Sequence, residues 1–259
     1  RWTAPEDGRY LLAIRDVIGA TQPDDRRVYR LCLRREEAPF EVVAIGRRAG
    51  PSSGIVRRGG REMLDLLVQR RNGFNGEILV RAADLPEGLD CPETWFGPRV
   101  TRVPLVISAT DSASEGHGSL QLLAEATIGG RGQSQTVLGG TMVRTGTPNG
   151  IGRITSDIPW SVGGASAVRL TGVIDRTRFA QGSIMEIQVF VDRAEGQPTS
   201  SVRLTGVGLP PMVANRLGEI AAGDKSNYMS LYLPPSLPTG HYTIAVEGIT
   251  KVAQPDGTD

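Results

Sequence analysis

The sequence has few of the residues that usually carry chemistry. Among 259 residues there are two histidines and two cysteines. Hydrolysis by a Ser/His/acid set needs convergent side chains, and zinc needs Cys or His at short, set spacings. The chain has neither pattern. We therefore predict that it is not an enzyme and that it has no catalytic, metal or cofactor-binding residue.

The chain also lacks an excess of charge and a long apolar run. Twenty-nine Lys and Arg residues oppose 28 Asp and Glu residues, and Lys225 and Lys251 are the only lysines. Nucleic-acid-binding domains carry a strong net positive field. A membrane helix needs about 20 consecutive apolar residues, and no run approaches that length. We therefore predict no nucleic-acid partner and no membrane insertion.

Glycine and proline are abundant, and the turn-rich pattern that they create occurs twice. The chain has 33 Gly and 17 Pro. Four short apolar runs recur in the same order at an offset of about 123 residues, which indicates two copies of one β-domain. The corresponding runs are GGREMLDLLVQR (59–70) and QGSIMEIQVFVDR (181–193), GEILVRAADLPEGL (76–89) and SSVRLTGVGLPPMV (200–213), TRVPLVI (101–107) and NYMSLYL (227–233), and GSLQLLAEATIGG (118–130) and GHYTIAVEGITKV (240–252).

The two copies keep the same alternation of apolar and polar residues. A one-residue slip would turn every core side chain of a strand to solvent, so this shared phase predicts which face is buried. In each copy a Leu-Pro pair follows the second run, where proline ends strand pairing. The predicted core residues are Leu64, Leu66, Val68, Ile78, Val80, Leu120, Leu122 and Ala124 in the first copy and Ile187, Val189, Val191, Val202, Leu204, Tyr242, Ile244 and Val246 in the second.

The predicted fold is all-β, with tandem Ig-like sandwiches after a truncated β segment. Each copy has about 85–90 residues, close to the roughly 100 of an Ig-like sandwich. Strands at 8–16 and 27–34 are expected to be the end of a cut domain, because a two-stranded hairpin is marginal alone and the chain starts without Met. The predicted boundaries are 1–37 for the truncated segment, 38–130 for copy 1, 131–166 for a connector, 167–252 for copy 2 and 253–259 for a tail. Within 131–166 we expect strands at the end of copy 1, followed by the connector itself, which carries Trp160.

Several polar groups are candidates for functional sites, but for each of them we favour a structural interpretation. His117 and His241 are expected in turns before the last strand of each copy. Asp24-Asp25 and Asp111 with Glu115 are candidates for calcium, but we interpret them as solvated turn acids. The Gly-rich segment 129–135 is expected to form a strand-turn-strand rather than a phosphate loop.

For the basic and aromatic residues, too, we favour structural interpretations. The pairs Arg47-Arg48, Arg57-Arg58 and Arg70-Arg71 are expected at exposed strand ends. Trp95-Phe96 in a loop is a candidate platform for a sugar, with core or inter-module packing as the favoured interpretation. Cys32 and Cys91 fall in different modules and are expected to be unpaired thiols, although their pairing stays open.

Two segments of the sequence resemble known protein families. The segment APEDGRYLLAIRD (4–16) with RVYRLCLR (27–34) resembles the C-terminal strands of bacterial pre-peptidase C-terminal (PPC) domains. The segment RNGFNGEILVRAADLPEGL (71–89) resembles the Ig-like modules that follow such domains in large secreted proteins of planctomycete-type bacteria. The match is carried by Arg71, Gly73, Phe74, Gly76, Leu85, Pro86 and Gly88. The second copy departs from the pattern at Gly196, Ser200 and Pro211-Met212.

The resemblance implies extracytoplasmic β-sandwich modules, outside the cell or on its surface, and it carries no catalytic residue to this chain. We expect a non-catalytic spacer or interaction array with proteins or surface glycans as partners, and monomers when the modules are isolated. The alternative is a carbohydrate-binding accessory module of a secreted hydrolase. A third hypothesis is an enzyme whose active residues lie outside these residues.

Overall fold

The structure consists of β-strands joined by turns. This computed structural model describes residues 6, 8–13, 39–47, 54–144, 151–214 and 218–253. Strands make up 56% of it, and the described part contains no helix, which confirms the all-β prediction. Within the described residues, therefore, no helix is long and apolar enough to cross a membrane. The chain divides into two compact units, Arg1–Glu37 and Ala38–Asp259.

The first sandwich has a six-stranded front sheet. Its strand order is β11-β10-β1-β3-β7-β5, and the central neighbours β1, β3 and β7 are antiparallel. Strand β10 pairs with β1 in parallel. The strands are β1 (Phe40–Gly46), β3 (Arg61–Arg70), β5 (Leu89–Asp90), β7 (Arg102–Ala109), β10 (Leu138–Arg144) and β11 (Ile151–Thr155).

A back sheet faces it, with the order β2-β12-β8-β4-β6 and with β9 paired to β8. Its longest strand, β8, has 13 residues and joins β9 through a hairpin turn formed by Gly129 and Gly130, both at positive φ. This confirms the strand-turn-strand predicted there. The strands are β2 (Gly54–Arg58), β4 (Ile78–Asp84), β6 (Thr94–Phe96), β8 (Gly116–Ile128), β9 (Arg131–Thr136) and β12 (Ile158–Ala165).

One apolar core fills the space between these sheets. Alternate residues of each strand point inward, as period-two patterning requires, and all eight residues predicted for the first core are buried. Strand β4 ends at Asp84, directly before Leu85-Pro86, as predicted. Phe96 is completely buried in the same core, on the short strand β6.

The segment predicted as a connector, 131–166, is instead part of the first sandwich. It supplies strands β9 to β12, and β12 pairs with β8 on one side and with β2 on the other. Ile158, Trp160 and Val162 alternate inward and are buried in the first core. Pro159 and Ser161 stand between these residues, and a proline is unusual within a paired strand. The strands expected at the end of copy 1 are present, but β12 lies where a connector was predicted, because its partners β2 and β8 are distant in sequence.

The second sandwich is smaller and starts two residues after β12 ends. Its front sheet has the order β13-β14-β17 and its back sheet β16-β15-β18, all antiparallel. The front triplet pairs in the manner of β1-β3-β7, and the back triplet in that of β6-β4-β8. The strands are β13 (Val168–Val173), β14 (Ile184–Arg193), β15 (Val202–Val207), β16 (Gly218–Ile220), β17 (Ser226–Tyr232) and β18 (Ala245–Ile249).

A second core lies between these two sheets. The five residues predicted for it on β14 and β15 are buried, whereas Tyr242, Ile244 and Val246 are partly buried against it. The last strand begins only at Ala245, so Tyr242 and Ile244 lie in the preceding loop. Strand β15 ends before Leu209-Pro210, as predicted.

Little of the N-terminal unit is described. A strand was predicted for 8–16, but residues 9–13 have no regular secondary structure and Leu11 is fully exposed. Residues 14–16 of that predicted strand lie outside the described residues. The predicted strand 27–34, and the tail from residue 254 onward, lie outside the described residues.

Candidate functional site

The functional feature that the structure offers is a junction between the two sandwiches. At one end, the loop before β18 forms backbone contacts with the short strand β6. The Trp95 backbone N–H donates to Thr243 Oγ1 at 2.8 Å, and the Thr243 N–H donates to the Trp95 carbonyl at 3.2 Å. The side chain of Tyr242 packs against both cores. The two sandwiches thus share backbone and apolar contacts at this end.

His241 completes this end of the junction. Its ring stacks on Trp95 with the centroids 4.6 Å apart and the planes at 28°. Glu77, just before β4, accepts a hydrogen bond from the His241 backbone N–H and lies 3.1 Å from Nδ1. In the described part of the chain, these are the hydrogen bonds of His241. The arrangement is an imidazole held by a carboxylate, and among the described residues no hydroxyl or thiol is hydrogen-bonded to this ring.

An arginine holds the other end of the junction. Arg169, on β13, donates to the Gly59 carbonyl and, at 2.9 Å, to Asp111 Oδ1. Arg61, at the start of β3, donates to the Leu170 carbonyl at 2.5 Å. Charge-assisted bonds to backbone carbonyls set position as well as energy. These bonds hold the start of β13, just after the two residues that link the sandwiches, against the first sandwich.

Between these ends, the back sheet of the second sandwich covers the outer side of the first front sheet. Gly208 packs against Pro104, which is buried although it points away from the first core. Beside it, Asp65 is 1% exposed and accepts a hydrogen bond from Arg102. Arg47 lies 3.6 Å from Asp65 and 3.0 Å from Glu247 of the second sandwich. A buried carboxylate needs such pairing.

The acidic candidates for calcium are used in ion pairs. Asp111 is bonded to Arg169, and Glu115 lies 3.6 Å from Arg58. No group of three or more His, Cys, Asp or Glu able to hold a metal ion occurs among the described residues. Asp24-Asp25 lies outside them.

The arginine pairs do not form one basic surface. Arg70 donates to the carbonyls of Gly76, Gly97 and Val100, and its burial lowers the pKa of its guanidinium. Arg71 is paired with Glu41. Arg57 is exposed, whereas Arg48 lies outside the described residues. Arg47 and Arg58 carry the ion pairs described above, so most of these arginines have structural partners.

The aromatic candidates are mostly enclosed. Phe96 is in the core, and Trp95 is half-buried with one face of its ring stacked on His241. Trp160 borders a polar groove of about 300 Å³ and is 8% exposed. It lies over Gly118 on the neighbouring strand β8. Trp2 lies outside the described residues. A sugar platform needs an exposed ring, which none of the described tryptophans provides.

His117 and Cys91 are separate from the junction. His117 is exposed within β8, opposite Ser161, and not in the turn that was predicted. Cys91 is buried as a free thiol. Desolvation, with Asp90 nearby as a smaller cause, raises the pKa of the Cys91 thiol to about 11. Cys32 lies outside the described residues.

We predict that Cys91 reacts slowly with alkylating agents until the first sandwich unfolds. At pH 8 a pKa of about 11 lowers the thiolate fraction about 100-fold relative to a thiol of pKa 9.0. In a Cys32→Ser variant, iodoacetamide labelling at pH 8 should be slower than that of a free thiol by at least this factor, and urea should restore the ordinary rate. Rapid labelling without denaturant would contradict the burial of Cys91.

Sequence reasoning missed most of the junction. Arg169 and Thr243 have no local pattern that distinguishes them from ordinary strand and loop residues, and alternation predicted Tyr242 only as a core residue of the second copy. Gly208 could have been identified from the repeat. It stands directly before Leu209-Pro210, where the first copy has Asp84 before Leu85-Pro86.

The comparisons with known proteins give no assignment. No protein family matches the chain, and no curated protein is similar to it in sequence at a significant level.

Proposed function

We propose that this chain is a non-catalytic array of Ig-like modules that acts as a spacer or interaction segment of a larger secreted or surface protein. The observation that carries the proposal is the junction, which holds two sandwiches at both ends and along one sheet. A spacer transmits position only if its modules keep one mutual orientation, and large interdomain contacts favour that behaviour.

The polar groups support a structural role. His241, Asp111, Asp65 and Arg169 are each bonded within or across the sandwiches. A catalytic group needs to reach a substrate atom at hydrogen-bond distance, with a base or acid poised beside it. Extracytoplasmic location rests on the resemblance described above. The carbohydrate-binding alternative depends on Trp95-Phe96, of which Phe96 is completely buried and Trp95 has one face stacked on His241.

We expect the two sandwiches to keep one orientation in solution. Spin labels at Glu87→Cys and Asp224→Cys, two exposed loop positions in different sandwiches, should give a single narrow distance distribution in a Cys32→Ser background. Trp95→Ala should broaden it, because the variant removes the stack with His241. Ile154→Ala, exposed and far from the junction contacts, is the matched control.

Two results would contradict the proposal. A broad distribution in the parent protein would mean that the sandwiches reorient freely and do not form a spacer. Hydrolysis of an ester, peptide or glycoside substrate that is lost in His241→Ala and kept in His117→Ala would show that the chain is an enzyme.

A further inference from the structure

The second sandwich exposes an apolar stripe on its front sheet. Ile184, Phe190, Tyr228 and Tyr232, together called the open face, point away from the second core and are 38–56% exposed. Ile184 is directly opposite Tyr232 in the ladder, so these side chains adjoin across two strands. Contiguous exposed apolar groups mark interaction surfaces, and tyrosine is enriched at the centre of interfaces.

The corresponding surface of the first sandwich is covered. In each front sheet, residues that lie opposite each other on neighbouring strands form pairs. Along the strands, core-facing pairs alternate with outward-facing pairs. The outward pair is Asp65 and Pro104 in the first sandwich and Gln188 and Tyr228 in the second. Asp65 and Pro104 are buried beneath the back sheet of the second sandwich, whereas Tyr228 is 56% exposed. The junction therefore shows that the outer side of a front sheet can be covered by the back sheet of another sandwich.

The surface of the second sandwich that covers the first has a corresponding surface on the first sandwich, which is not covered in the same way. The second sandwich uses the outer side of β15 and β18, with Gly208 and Glu247 in contact. The corresponding strands of the first sandwich are β4 and β8, which are paired in the same antiparallel way. Their outward residues, called the back face, are exposed or half-buried. The back face consists of Leu79, Arg81, Ala83, Gln121, Leu123 and Glu125.

We propose that the open face binds the back face of a second copy of this chain, so that copies associate head to tail. Such a contact is heterologous and does not close on itself, so it extends into a row. Arg81 of the back face is already paired with Glu125 of the same face at 2.9 Å, so the repeated packing geometry carries the proposal rather than charge. This inference rests on the proposed function as an array, and it departs from the monomer expected from the sequence.

The association is expected to be weaker than the junction within one chain. There, two residues link β12 to β13, which makes the contact intramolecular and raises its effective concentration. Between copies no link exists, so the contact must supply the full cost of association. We therefore expect association in the micromolar range rather than a permanent complex.

Sedimentation velocity tests this over about 5 to 500 µM of the full chain, a range that brackets a micromolar Kd. The parent protein should form dimers and longer species as the concentration rises. Tyr228→Arg, altered on the open face, and Ala83→Arg, altered on the back face, should each remain monomeric. Their equimolar mixture should form a 1:1 dimer and nothing larger, since each variant keeps the surface that the other has lost. Ile154→Arg, equally exposed but on β11, should associate like the parent.

Three outcomes overturn the inference. The first is a parent protein that stays monomeric throughout the range. The second is association that survives in both variants. The third is a mixture that forms no dimer although Tyr228→Arg abolishes association, which would indicate pairing of two open faces. Unchanged thermal unfolding verifies that each variant is folded, and Tyr232→Arg replaces Tyr228→Arg if it is not. None of these results alters the rigidity and hydrolysis tests of the proposed function.

Discussion

Leu66→Ala is expected to lower the free energy of unfolding of the first sandwich by about 2–5 kcal/mol, the range for removing a buried leucine side chain. Leu66 is completely buried on β3, between the two sheets of the first core. The neighbouring Leu67 points to the other side of the same strand and is 36% exposed. Leu67→Ala should therefore cost much less, and it is the matched control for strand propensity.

Calorimetry separates the two cores in this experiment. Val189 is 1% exposed in the second core, so Val189→Ala should lower the transition of the second sandwich, and Leu66→Ala that of the first. Linked domains with separate cores generally unfold in separate transitions. A single transition that shifts in both variants would mean that the junction makes the two sandwiches one cooperative unit.

Gly208→Ala is expected to open the junction. Gly208 has a φ of 76°, a conformation that costs an alanine about 1–2 kcal/mol. An added Cβ would also overlap the Pro104 ring and lie 2.9 Å from the Thr243 carbonyl oxygen. Overpacking of this kind costs a further 1–3 kcal/mol or so, and a proline ring and a backbone oxygen have little freedom to move away.

Gly196 separates the clash from the backbone strain. Its φ is 78°, and an added Cβ would meet nothing within 4 Å. Gly196→Ala should therefore show the cost of the conformation alone, and urea denaturation should give a clearly larger loss for Gly208→Ala. The spin-label distance distribution should broaden only in Gly208→Ala. Equal losses in the two variants would show that the contact between Gly208 and Pro104 is not tight.

The parts of the fold that were predicted correctly depend on short-range patterns. Alternation identified the inward residues of β3, β4, β8, β14 and β15, because a strand places successive side chains on opposite faces. Leu85-Pro86 and Leu209-Pro210 marked strand ends, since proline cannot donate to the ladder. Gly129-Gly130 marked a hairpin, because both residues need positive φ there.

The pairing of the strands in 131–166, and strand β12 itself, were not predicted, for a different reason. Strand β10 pairs in parallel with β1, and β12 in parallel with β2, across about a hundred residues of chain. Parallel neighbours are joined by crossovers rather than hairpins, so no turn signal connects them. Trp160 covers Gly118, which belongs to another strand, so no residue near Trp160 in sequence indicates this contact.

The sequence by itself determined that this protein is all-β and which side of most strands is buried. These properties follow from composition and from the two-residue period of a strand. The tertiary structure alone decided that Asp65 is buried, that His241 stacks on Trp95, and that Gly208 meets Pro104. Each of these contacts joins residues far apart in sequence, and it exists only because two sheets, folded from separate segments, pack face against face.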